Sequence, residues 1–204
     1  MCIRDSAGLA ALRSGGATER QFSQVRGWLD TALRDDPSST PLKLNDAELR
    51  ALQHDYAGAA TVYEAILRSE PRNVVALNNL AWIQAADPTT AKSSLELLDR
   101  AIREAGLTGE LLDTRARARI TLKQLPAAER DLDEATTQEA TALRWFHKAL
   151  LKLTETPADR VAALAAFREA TARGLDAKLV HPADLPTFRT LEAEARRTPA
   201  RSPE

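Results

Sequence analysis

Residues 55–82 read DYAGAATVYEAILRSEPRNVVALNNLAW. Within this stretch Ala59, Tyr63 and Ile66 stand four and three residues apart, which places them on one face of a helix. Pro71 stops that helix, since proline cannot continue one and restricts the residue before it. Asn73 is positioned to cap a second helix that begins at Val74, along which Leu77, Leu80, Ala81 and Gln84 form a stripe. The stretch therefore spells the second helix of one unit and the first helix of the next.

The same spacing recurs outward in both directions. Small or apolar residues return at Ala32, Ile66, Ala101, Ala135 and Ala170, with gaps of 34, 35, 34 and 35. Two further series keep the same gaps: Val25, Ala59, Ser94, Ala128, Ala163, and Leu29, Tyr63, Leu98, Leu132, Phe167. A small residue at one position lets a neighbouring helix approach, and the large one beside it fills the space. The first helices repeat as well, through Ala47, Ala81, Ala116 and Ala149. Breakers separate the two helices of each unit: Ser14-Gly15-Gly16, His54-Asp55, Asp87-Pro88, Leu125-Pro126 and Thr154-Glu155-Thr156-Pro157. A fixed period near 34 residues with a helix–turn–helix unit is the signature of a helical repeat array.

The unit resembles the tetratricopeptide repeat, with its two helices and its Ala-x-x-x-Phe/Tyr…Pro signature. The clearest match runs from Asp55-Tyr56-Ala57-Gly58-Ala59 through Tyr63 to Pro71, then Asn73 and Leu77-Asn78-Asn79-Leu80-Ala81-Trp82, and Trp145 stands where the family usually has its Trp. The resemblance covers about residues 7–174 and implies an all-α, right-handed superhelical solenoid of antiparallel hairpins. Expected units are 7–39 (first helix cut short), 40–73, 74–106, 107–140 and 141–175. A turn at His181-Pro182 and a capping helix from about Thr187 to Arg197 complete residues 176–197, with Phe188, Leu191 and Ala195 on its apolar face. Residues 198–204 are expected to be a disordered tail. Departures from the family pattern are Asp46, Arg115 and Lys148 at positions that prefer a buried Leu, and His54 in place of the usual turn Gly.

Residues 1–6, Met1-Cys2-Ile3-Arg4-Asp5-Ser6, read as the translation of a DNA-library adapter and are set aside from fold reasoning. On that reading the chain is an N-terminally truncated bacterial fragment. An upstream domain or leader would then be missing, so no compartment is assigned, the cytoplasm being favoured. The only Cys is Cys2, which leaves no disulfide or thiolate metal site. With 28 basic and 29 acidic residues the net charge is -1, which gives no general attraction to nucleic acid or anionic membranes. No apolar run is long enough to span a bilayer.

His54, His147 and His181 have no His or Cys partner at ligand spacing, so they read as surface or groove residues and no metal is expected. No Ser sits on a Gly-flanked elbow and no Gly-rich loop precedes a helix, so no catalytic residue and no cofactor is expected. In the family, first helices line the concave side of the superhelix. That arrangement implies a peptide-binding groove formed by Asn45 and Glu48, then Asn78, Asn79 and Trp82, then Asp113 and Arg117, then Phe146 and His147. Amides of Asn can hold an extended main chain through both donor and acceptor, and Trp82 offers a flat apolar surface. The alternative reading of Asn79 and Trp82 is that they tie neighbouring helices together. Chaperone-tail recognition is not expected, because its carboxylate-clamping positions hold Leu44, Glu48, Asn79, Glu110 and Thr114, of which only Asn79 fits. Along the fourth first helix, Asp113 and Arg117 stand at a spacing that allows a pair in solvent, a solvated helix being the default and an anion contact through Arg117 the sharper alternative, and the alternating Arg115, Arg117 and Arg119 do not form one basic patch.

Three functions stand as expectations. The first is a non-catalytic scaffold that binds an extended peptide or a partner helix of another protein. A second is a regulatory or docking arm of a larger enzyme whose catalytic domain lies upstream. RNA reading by helical hairpins is the weakest, given the charge and the lack of a repeating polar code.

Overall fold

The structure, a computed structural model, describes residues 18–155 and 159–197. These residues form ten α-helices and two 3-10 turns, with no strand among them. In chain order the helices are α1 Glu19–Asp35, α2 Thr40–Leu52, α3 Tyr56–Ser69, α4 Val74–Ala85, α5 Ala91–Ala105, α6 Gly109–Thr121, α7 Leu125–Gln138, α8 Ala142–Glu155, α9 Arg160–Ala172 and α10 Leu185–Arg197. Short turns fold α2 onto α3, α6 onto α7 and α8 onto α9, so the helical hairpin is the building unit. The adapter-like start, the Ser14-Gly15-Gly16 turn, Thr156-Pro157 of the last turn and the tail lie outside the described residues.

The three series read from the sequence become the buried seams of the second helices. Every member is buried except Ala32, which is half-buried. The chain divides into two compact units between Ile83 and Gln84, inside α4. In the first unit Val25 and Leu29 of α1 meet Leu42 and Leu49 of α2. Thr18 opens α1 with a capping box, its hydroxyl accepting from the Gln21 N–H while the Gln21 side chain takes the Thr18 N–H. Asp46, at a position where the family prefers Leu, is held by Arg26 of α1 and by Arg50 one turn on at 3.0 Å. A carboxylate is tolerated there because two guanidiniums replace its lost water.

In the second unit Phe146, Phe167 and Phe188 pack edge to face, with centroids 5.5–6.3 Å apart. They join Ile120, Leu132 and Leu151, and α10 closes this core with Phe188 and Leu191. Helix α10 starts at Leu185, two residues before the expected Thr187, because Pro186 fits a first helical turn that needs no N–H. Arg115 reaches Asp131 of α7 with two bonds of 2.8 and 2.9 Å, and Arg119 adds a third of 2.6 Å. Arg144, nearly buried, donates to the carbonyls of Ala135 and Glu139 and so caps the end of α7. Its guanidinium lies against Gly109, where an added Cβ would come within 2.8 Å of Nη2.

Three helices end in the same way. The N–H groups of Asp55, Gln124 and Leu175 donate to the carbonyls of Arg50, Arg119 and Ala170, five residues back. The residues before them, His54, Lys123 and Gly174, have φ of 63°, 59° and 83°. This is the Schellman motif, and it explains why the family prefers Gly where His54 stands. A left-handed backbone strains a side chain with a Cβ, and Lys gains none of the local hydrogen bonding that eases it for His or Asn. Lys123→Gly is therefore expected to raise stability by about 1 kcal/mol. Chemical denaturation checks this, and a loss of stability would count against the cap.

Candidate functional site

The residues expected to line a groove fall into the two units separately. In the first unit Asn45 and Glu48 lie on α2, and Asn78, Asn79 and Trp82 on α4, all half-buried. Asn73 fixes the start of α4, its Oδ1 accepting the Ala76 N–H at 3.0 Å. That cap satisfies a first-turn N–H and fixes where α4, which carries Asn78, Asn79 and Trp82, begins. Asn79 donates through Nδ2 to the Tyr63 hydroxyl at 3.1 Å, which ties α4 to α3. Trp82 lies 6.0 Å from the Tyr56 ring, tilted by 45°. Burial raises the pKa of the Tyr56 phenol, so this ring pair presents a neutral face.

Asn45 and Asn78 differ from Asn79. The Asn45 Nδ2 and the Asn78 Oδ1 are both buried and have no hydrogen-bond partner among the described residues. One is a donor and the other an acceptor, on two successive first helices. Buried polar atoms nearly always find partners, so two orphans of opposite kind in one unit call for a physical cause.

In the second unit the expected residues are more deeply placed. Phe146 is fully buried against Phe167 and Phe188 and lines no groove, because the core of α9 and α10 needs its ring. His147, expected as a surface or groove residue, is also buried, with Nδ1 2.6 Å from Asp113 Oδ1. The solvent pair that the spacing of Asp113 and Arg117 allows does not form. Asp113 turns to α8, and Arg117 donates to Asp184, 67 residues away, through Nε at 2.8 Å and through Nη2. Neither α6 residue is solvated, since helices pack on both its sides. Asp184 was not singled out in the sequence. It sits in the 3-10 turn Pro182–Asp184, opened by His181, whose Nδ1 accepts from the Ala183 N–H at 3.2 Å. A lone Asp after a proline gives no signal that its partner lies two repeats back.

A cavity of about 350 Å³ adjoins the Arg117–Asp184 pair, with Ile120, Leu150 and Leu153 among its walls and Lys123 at its edge. Thr121 accepts from Arg117 Nη1 at 2.6 Å and donates to the Ala85 carbonyl at 2.8 Å, fixing the guanidinium from its other side. Among the described residues no three His, Cys, Asp or Glu side chains gather as metal ligands do. No described helix is long and apolar enough to cross a membrane.

Neither a protein-family model nor a curated protein sequence matches the chain. Solved structures do. A thermophilic TPR protein of Thermus thermophilus superposes with a TM-score of 0.67 at 18% identity, over 93% of this chain and 99% of that one. PilW, a widely conserved type IV pilus biogenesis factor, gives 0.68 at 15% identity, over 99% of this chain and 96% of its own. At such identities the likeness is one of fold, and the fold is that of the tetratricopeptide repeat.

Proposed function

We propose that this chain is a non-catalytic scaffold that binds other proteins, and that its first unit holds an extended peptide by the main chain. The observation that carries this reading is the pair of buried, unpartnered amide atoms, Asn45 Nδ2 and Asn78 Oδ1. Both residues are half-buried, so a rotation of each side chain presents its amide to a docking peptide, whose main chain supplies a carbonyl for the Nδ2 and an N–H for the Oδ1 without regard to its side chains. Trp82 and Tyr56, in the same unit, add a flat apolar surface. Asn79 contributes by fixing α4 through Tyr63. Helical repeat arrays commonly use such surfaces for partners, since stacked hairpins leave extended faces that the core does not consume.

The test is selection of twelve-residue peptides from a random display library on the intact chain, followed by affinity measurement against Asn45→Ala/Asn78→Ala. Two lost main-chain hydrogen bonds at about 0.5–1.5 kcal/mol each amount to roughly a tenfold weakening or more. Thermal stability should change little, because neither amide makes a hydrogen bond among the described residues. Selected peptides that bind the double variant as tightly as the parent would sink the reading, as would a library that yields no binder.

A further inference from the structure

The geometry points to a second binding site, in the second unit, for an acidic residue carried beside an apolar one on a partner's segment, with Asp184 as its internal occupant. Arg117 is the starting point. Its guanidinium is buried, yet it opens on the 350 Å³ cavity. Three of its five N–H donors are used, two by Asp184 and one by Thr121. Lys123 stands at the edge of the same cavity, exposed and without a partner among the described residues. The cavity therefore carries two cations against one carboxylate and is short of one negative charge. Ile120, Leu150 and Leu153 supply an apolar wall beside that charge.

The chain itself displays the chemistry that fits. Asp184 sits on Arg117, and the next residue, Leu185, packs against the core. The segment that brings them in is lightly held. Residues 176–179 are exposed, and between the buried Val180 and the buried Phe188 only Asp184 is buried. Exchange of Asp184 for a partner's carboxylate keeps the guanidinium paired throughout, so it avoids the large penalty of a bare buried charge. Only the short 3-10 turn Pro182–Asp184 must shift, while α10 stays anchored by Phe188 and Leu191. Lys123 lines the same cavity, while the ion pair of Asp184 is with Arg117, so Lys123 adds a second cation for the incoming carboxylate.

The probe is a fluorescein-labelled peptide with the sequence of residues 176–188, titrated against the full chain and variants of it. Asp184→Asn empties the internal charge and should bind the peptide at least tenfold more tightly than the parent. The same peptide carrying Asn in place of its Asp should lose that gain, and Lys123→Glu should weaken binding of the original peptide about tenfold. Equal affinity for the parent and Asp184→Asn overturns the proposal, as does a gain that the Asn-bearing peptide retains. Circular dichroism checks that each variant folds. If Asp184→Asn does not, Lys123→Glu decides alone, and unchanged binding there refutes the site. Asn45→Ala/Asn78→Ala should leave this peptide's affinity as it was, so this site and the main-chain site of the first unit stand or fall separately.

Discussion

Phe167→Ala is expected to destabilise the second unit by about 3–5 kcal/mol. The ring is fully buried and touches both Phe146 and Phe188 edge to face. Its removal opens a hole between α8, α9 and α10 that rigid helices cannot close, and Ala163 and Ala170 on the same face are too small to fill it. The loss should reach α10 as well, because Phe188 rests on this ring. Thr171→Ala, one turn further along α9, is the control. Thr171 is exposed and donates only to the Arg168 carbonyl at 2.9 Å, so its removal should cost far less. Denaturant titration of both variants separates the cases. Similar losses would mean that the buried face of α9 has been assigned wrongly.

Asp184→Ala should cost about 3 kcal/mol, the lower end of the range for removing one partner of a buried ion pair. The side chains of Arg117 and Asp184 are 10% and 7% exposed, so the guanidinium left behind is largely cut off from water. The cavity beside it admits some water, which is why the upper end is not expected. An apolar replacement of both partners, Arg117→Met with Asp184→Leu, should recover most of the loss, since the pair's attraction is set against the desolvation of both ions. A double-mutant cycle measures the coupling. If Asp184→Ala costs no more than the roughly 0.5 kcal/mol of an exposed pair, the guanidinium is already solvated and the pair does not hold the turn.

The repeat determined most of the fold. Small and large apolar residues at a period near 34 can be buried together only if each unit folds as a hairpin, so the three seams of the second helices come from spacing alone. Caps are local too: Thr18 with Gln21, and Asn73 before Val74, act on N–H groups three residues away. The closing helix was legible from Phe188 and Leu191, although Pro186 moved its start. What the sequence left open was the destination of each polar side chain. Asp46, Arg115 and Arg117 look like misfits or solvated charges along their own helices, and each finds its partner on another one. His147 and Phe146 carry no mark of burial beyond their neighbours in sequence, yet the packing of α6, α9 and α10 on α8 encloses both. Periodicity fixes which face of a helix turns inward. Which charge then meets which depends on the approach of segments as distant as Arg117 and Asp184, and only the packed helices decide that.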